Sequence, residues 1–300
     1  MKGENSMCLF TGACVALATP FKADGSVDFD AFAQMLEFQI VNHTDAILVC
    51  GTTGEPSTMT RDEQKRVIAF ALEKVNGRVP VIASTGGNNT AEVIAKSKDA
   101  QALGADGLLV VTPYYNKTTQ AGLIAHYTSV ADAVDLPIIV YNVPGRTGLN
   151  VMAETLATLS HHKNIVGMKE ASGNMAQVSD MIRLCQGRIA MYSGEDGLVV
   201  PLMSLGGKGV ISVVSNIAPQ DMHDLAAAAL SGDYKTACDL QFKIAPLVKW
   251  LFSEVNPIPV KAALAAMGQC QNVVRLPLVP MGEENKVHLI EAMRAYGFPV

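Results

Sequence analysis

Lys169 ends the apolar run Ile165-Val166-Gly167-Met168, and an amine held there is a candidate nucleophile. Loss of hydration favours the neutral form of a lysine, which suits it to Schiff-base formation with a carbonyl. By position alone the residue fits equally an ion pair with Glu170 or a strand-end lysine that reaches solvent. Tyr141 ends a second apolar run, Ile138-Ile139-Val140. Its phenol can pass protons, or simply pack with its hydroxyl satisfied. Arg146 follows Pro144-Gly145 and suits a carboxylate by bidentate bonding. It fits as well a solvated surface arginine. Thr52 and Thr53, in Gly51-Thr52-Thr53-Gly54-Glu55, offer two hydroxyls beside flexible glycines, to cap a helix or to hold an anion with neighbouring N–H groups.

Strand-like runs must position these groups. They are predicted at Ala13–Leu17, Ala46–Cys50, Val79–Ser84, Gly107–Thr112, Pro137–Tyr141, Ile165–Lys169, Ile189–Ser193 and Gly209–Val213. Most are continuous Val/Ile/Leu/Ala rather than alternating, the pattern of strands covered on both faces. Helical segments lie between them. Phe29–Val41 keeps Phe32, Met35, Leu36 and Ile40 at helical spacing, Thr60-Arg61-Asp62-Glu63 reads as a capping box, and Thr90 is expected to cap a helix that stops at Gly104. Strand–helix alternation implies right-handed crossovers and a parallel sheet. A doubly wound open sheet is the rival, but eight units favour an α/β (β/α)₈ TIM barrel, with its active site at the C-terminal strand ends. After Gly232-Asp233 the strand signal stops, and Tyr234–Phe252, Pro257–Met267 and Glu283–Ala295 read as a C-terminal helical appendage. The expected division is a loose tail at 1–7, a barrel over 8–232 and helices over 233–300.

Bulk properties exclude several functions. A net charge of -5 without a basic cluster gives no footprint for nucleic acid or an anionic membrane. No run reaches the ~18 apolar residues that would span a bilayer. Six scattered cysteines without C-x-x-C spacing read as reduced thiols, and a start without a long apolar stretch leads us to expect a cytoplasmic protein. The six histidines fall in or near predicted helices instead of converging on strand ends, so no metal site is expected. Ser215-Asn216 follows the eighth run without a Gly-rich turn, which argues against a phosphorylated substrate or flavin.

Together the motifs resemble those of the dihydrodipicolinate synthase family, within the pyruvate-dependent Schiff-base aldolases. The resemblance runs from about Gly12 to the C-terminus. It rests on Gly51-Thr52-Thr53-Gly54-Glu55, Thr112-Pro113-Tyr114-Tyr115-Asn116, Tyr141-Asn142-Val143-Pro144-Gly145-Arg146-Thr147-Gly148, Gly167-Met168-Lys169-Glu170-Ala171, Ser193-Gly194-Glu195-Asp196, Gly209-Val210-Ile211-Ser212 and Asn256-Pro257-Ile258-Pro259-Val260-Lys261. One departure is Thr118, where the family motif more often carries proline. The resemblance implies condensation of pyruvate with L-aspartate 4-semialdehyde to 4-hydroxy-tetrahydrodipicolinate, for lysine and diaminopimelate synthesis, without a cofactor. It implies that Lys169 forms the imine and that Tyr141, Thr52 and Tyr115 relay protons, Tyr115 coming from a neighbouring subunit. Thr53 would bind the pyruvate carboxylate, Gly194 and Ile211 would frame the lysine pocket, and Arg146 would hold the aldehyde's carboxylate. A homotetramer of two dimers is implied as well. Feedback by lysine would use Ser57, Asn88, Glu92 and Tyr114. Arg61 and Gln64 replace histidines found in sensitive relatives, so weak inhibition is expected. N-acetylneuraminate lyase or 2-keto-3-deoxy sugar acid aldolase activity is the alternative, and a silent ligand-binding barrel is the alternative outside enzymes.

Overall fold

The computed structural model describes residues 8–300, so the tail expected at 1–7 lies outside the described residues. Eight parallel strands close in sequence order into a barrel: β1 Gly12–Ala16, β2 Ala46–Val49, β3 Val81–Ser84, β4 Gly107–Val111, β5 Ile138–Asn142, β6 Ile165–Glu170, β7 Ala190–Ser193 and β8 Gly209–Ser212. The helices are α1 Phe29–Val41, α2 Arg61–Val75, α3 Thr90–Leu103, α4 Gln120–Asp132, α5 Pro144–Thr147, α6 Ala153–Leu159, α7 Met175–Cys185, α8 Val199–Ser204, α9 Pro219–Ser231, α10 Tyr234–Leu251, α11 Ile258–Ala266 and α12 Glu283–Tyr296. No strand follows β8 among the described residues.

Continuous apolar runs are needed because each strand is buried on both faces, and alternate residues enter separate cores. Cys14, Ala16, Leu48, Ile82, Leu109, Ile139, Tyr141, Tyr192 and Ile211 fill the barrel interior. Their neighbours Val15, Ile47, Val81, Leu108, Val140, Met168, Met191 and Val210 face the helices. Side-chain parity therefore decides which residues can do chemistry inside.

Polar side chains fasten the closure. Asn216 accepts from Ala18 N at 2.9 Å and donates to the carbonyls of Ala16 at 2.9 Å and Val213 at 3.0 Å, tying the end of β8 to the end of β1. At the opposite end Phe10 stacks on Tyr192 with ring centroids 4.3 Å apart. The Tyr192 hydroxyl donates to Phe10 O at 2.7 Å, so the segment before β1 floors the barrel.

Local chemistry sets the helix starts. Thr60 Oγ1 accepts from Glu63 N at 3.2 Å while Glu63 Oε2 accepts from Thr60 N at 2.9 Å, completing the expected capping box. On α3 the cap is Asn89, one residue earlier than expected, with Oδ1 accepting from Ala91 N at 3.1 Å. Thr90 is instead inside the helix and bonds His126 Nδ1 at 2.9 Å. The Pro144-Gly145 turn is the one-turn helix α5.

The C-terminal chain returns across the barrel mouth to the start of α2. Arg275 there donates to Glu63 at 2.5 and 3.1 Å, to Thr58 O at 2.8 Å and to Gly25 O at 2.9 Å. Its hydrogen bond is the main cause that holds the Glu63 carboxyl down to about 2, against the ordinary 4.5. A carboxyl lowered by folding stabilises fully above its unfolded value and loses that contribution as the pH falls through its folded one. In Arg275→Met, beside a uniform loss of stability, the decline of Tm between pH 4.5 and 2 is expected to flatten in circular dichroism melts. An unchanged slope would remove this pair from the acid response.

Candidate active site

Parity on β6 turns Lys169 into the barrel and Glu170 outward. Lys169 is 5% exposed, and Tyr141, its register partner on β5, is 7% exposed. The lysine Nζ sits 4.5 Å from the centroid of the Tyr141 ring. A cation there meets the negative face of the ring, and a neutral amine meets an apolar wall. Glu170 does not take the lysine as its partner. Its carboxylate accepts from Asn142 Nδ2 at 2.9 Å and from Ser172 N at 2.6 Å, which leaves the amine to the cavity.

Above the amine lies an inner chamber of about 50 Å³, lined by Thr52, Thr53, Tyr141, Arg146, Lys169 and Glu195 among others. It adjoins an outer cleft of about 320 Å³, which shares Thr52, Tyr141 and Arg146 and adds Ser57 and Tyr114. Gly194 also borders the chamber, and a Cβ there would stand 3.1 Å from Lys169 Cε and 2.7 Å from Ala171 Cβ. A side chain at that point would collide with Ala171 and crowd the lysine. Ile211 lies deeper, buried in the barrel interior, and lines neither cavity.

The two threonines divide. Thr53 is buried and its Oγ1 accepts from Asn256 Nδ2 at 3.0 Å, while Thr52 is exposed toward the cavities. Neither caps a helix; they form a single 3₁₀ turn. Arg146, exposed on α5, donates from Nη2 to Asn256 O at 3.4 Å. Asn256 thus touches both candidate anion holders. Tyr115 does not join this group within one chain. It is 91% exposed with φ 67°, and it lines neither cavity. Glu92 and Asn88 also stand apart from the cleft, Asn88 O accepting from Asn116 Nδ2 at 3.0 Å.

Three groups are quoted in motifs but were given no role by sequence reasoning. Glu55, just after the threonine turn, forms a buried ion pair with Lys261 on α11 at 2.7 Å, the side chains 1% and 0% exposed. Its second oxygen accepts from Arg275 N at 3.0 Å. Lys261 Nζ also sits 4.1 Å from the centroid of the Phe21 ring. Burial pulls this ammonium below its usual range and Glu55 opposes the shift. Asn256 is the second group. The third is Glu195, whose carboxyl is raised first by burial and next by Asp196, with Lys169 and Arg146 opposing. The available signal was a lysine inside the apolar stretch Ile258-Pro259-Val260-Lys261-Ala262-Ala263-Leu264, which needs a buried counter-charge. Among the described residues no group of three or more His, Cys, Asp or Glu is placed to hold a metal ion.

Residues 9–296 match the model of the dihydrodipicolinate synthetase family. The chain is 53% identical to the 4-hydroxy-tetrahydrodipicolinate synthase of Caldicellulosiruptor bescii, over 98% of this chain and 99% of that protein. It superposes on the dihydrodipicolinate synthase of Aquifex aeolicus with a TM-score of 0.95 and 46% identity, covering 97% and 99% of the two chains. A structure described as a monomeric dihydrodipicolinate synthase variant matches with a TM-score of 0.95 and 43% identity, over 97% of this chain and 98% of that one.

The Glu55–Lys261 pair makes a separable demand on stability. Lys261→Met strands a buried carboxylate and is expected to destabilise the fold by about 3–5 kcal/mol in urea unfolding. Adding Glu55→Gln, which keeps an acceptor for Arg275 N, is expected to recover at least half of that loss. A double variant no more stable than Lys261→Met would show that packing, and not charge, sets the penalty.

Proposed function

This chain belongs to the dihydrodipicolinate synthetase family, and from that membership we infer that it is a lyase condensing pyruvate with L-aspartate 4-semialdehyde to 4-hydroxy-tetrahydrodipicolinate. The observation that carries the reading is the buried Lys169 amine against Tyr141, opening onto a chamber that also holds Thr53 and Arg146. No observation favours a sugar-acid aldolase or N-acetylneuraminate lyase. A silent barrel would have no need of a lysine kept free of Glu170.

The Lys169 amine attacks C2 of pyruvate, and the carbinolamine loses water to give the imine. Loss of a C3 proton yields an enamine, and the iminium nitrogen accepts the electron pair. C3 then attacks the aldehyde carbon, the new alkoxide takes a proton, and the amino group of the second substrate displaces Lys169 on cyclisation. Each step moves a proton, and Tyr141 and Thr52 border the space in which this happens. Thr53, aligned by Asn256, receives the pyruvate carboxylate, and Arg146 receives that of the aldehyde. Gly194 and Ile211 frame the lysine, one by leaving room beside Cε and one from below.

Tyr115 completes the relay from a second copy of the chain, in a dimer of dimers. Its 91% exposure and the 39% exposure of Tyr114 support a partner over this loop. Lysine acts weakly, at Ser57, Tyr114, Asn88 and Glu92. Gln64 cannot titrate and is tied to Pro56 O at 2.8 Å. Arg61, paired with Asp99 at 2.7 Å, adds a permanent cation there. Synthesis in the cytoplasm fits the reading, and no helix among the described residues is long and apolar enough to cross a membrane.

Borohydride with pyruvate is expected to fix the adduct on Lys169 in peptide mapping, and Lys169→Arg is expected to remain folded with product formation below detection. An adduct on another residue would refute the mechanism. Refolding Tyr115→Phe together with Lys169→Ala is expected to restore part of the activity that each lacks alone. One mixed site then holds both intact groups, whereas a Tyr115 serving its own chain would restore none.

A further inference from the structure

Among the described residues Glu195 is the one carboxylate that borders the inner chamber, and its backbone is fixed there. Ser193 Oγ accepts from Glu195 N at 3.2 Å and donates to Glu195 O at 2.7 Å, holding the residue against the end of β7. Glu195 is half-buried and borders the chamber with Lys169, Arg146 and Asn256, and the charges of Lys169 and Arg146 act on its carboxyl. No group among the described residues hydrogen-bonds or ion-pairs with the carboxylate; its surroundings act on it only through burial and through the charges of Asp196, Lys169, Arg146 and Glu170. The nearby Asp196 differs: its Oδ2 accepts from Val213 N and Val214 N, both at 3.0 Å, and it serves the backbone.

A half-buried carboxylate with no protein donor keeps its oxygens free for a donor that a ligand brings, and closing the site over it removes the water that would otherwise serve. The cations beside it are committed elsewhere in the cycle. Lys169 becomes an imine, and Arg146 faces the carboxylate of the second substrate. That substrate carries a further charge, its α-ammonium, two bonds from the carboxylate oxygens' carbon and on the same side of the aldehyde chain. We propose that Glu195 is the specificity-determining residue that receives this ammonium, so that Arg146 and Glu195 together read the zwitterionic end of an amino aldehyde. The assignment rests on the reaction inferred above.

The pairing has a chemical consequence. A sugar acid presents hydroxyls at the equivalent carbon and leaves the carboxylate without a counter-charge. Its desolvation on closing the site is then uncompensated, and the site discriminates by what it leaves unpaired. A carboxylate near the ammonium also holds that nitrogen in place until its proton is removed and it can displace Lys169.

The test compares two ligands that share a carboxylate and an aldehyde and differ only in the amino group: L-aspartate 4-semialdehyde and 4-oxobutanoate. In Glu195→Gln, KM for the amino aldehyde is expected to rise about 10- to 100-fold, the range for loss of a charge-assisted bond. The inhibition constant of 4-oxobutanoate against the pyruvate-loaded enzyme is expected to stay within about twofold, as is borohydride trapping of pyruvate, which also reports that the variant is folded. Glu195→Ala is expected to show the same selectivity. Equal losses for both ligands would make Glu195 a support for Arg146 and overturn the proposal. So would a variant with no change in either constant, or one impaired in trapping. Failure of the parent enzyme to turn over aspartate semialdehyde while still trapping pyruvate would instead refute the inferred reaction.

Discussion

A lysine and a glutamate taken wholly out of water at the barrel mouth govern much of this structure. Lys261 and Glu55 are joined at 2.7 Å with side chains 0% and 1% exposed. Such a pair contributes little net stability, because desolvation consumes most of its attraction, yet losing either partner leaves a buried charge. It therefore works as a registration device. Glu55 immediately follows Thr52-Thr53-Gly54, and Lys261 belongs to α11, so the helical C-terminal region is pinned against the loop carrying the threonines. Arg275 adds a second fixing point through its backbone and reaches on to Glu63 at the head of α2. The region beyond the barrel is thus mechanically part of the site.

The same economy operates inside. With two cores separated by one strand thickness, moving a residue by one position exchanges the reaction chamber for the helix layer. Lys169 faces Tyr141, while Met168 packs outward and Glu170 is absorbed by Asn142 and the Ser172 backbone. Asn142 is itself held by Val151 N and by Asn150, which bonds Gln177 on α7. A chain of amides outside the barrel thereby keeps an acid from neutralising the amine within.

Much of this was legible in the sequence because the periodic features are local. Continuous apolar runs marked the eight strands, and the Thr60–Glu63 box and Gly104 marked helix ends. Boundaries slipped where two residues competed for one role, as at Asn89 and Thr90, since both can cap and only backbone geometry selects. Lys169 and Tyr141 were visible as polar groups ending apolar strands and Arg146 as a cation in the turn that follows one, but their roles came from the ordered motifs. What stayed hidden depends on contacts across long separations. Asn256 reaches Thr53 over 203 positions, and Lys261 reaches Glu55 over 206. No local pattern encodes such a pairing. The solitary Glu195 carboxylate was unreadable for the opposite reason, being defined by the partners it lacks.

The barrel floor bears on how the polypeptide is made. Phe10 must find Tyr192 across 182 positions, and Ala18 must find Asn216 across 198. On a ribosome the first strand emerges long before either partner exists, and domains of this kind of topology form slowly because loop closure precedes reward. Through most of synthesis β1 is an apolar strand with both edges open, paired at best with β2 on one side. The nascent chain must carry that unsealed edge until β8 leaves the exit tunnel, and chaperone binding to the growing chain would be concentrated on the apolar segment of β1. The enzyme's folding is therefore a problem of waiting, set by the placing of its floor and its seam at opposite ends of one sequence.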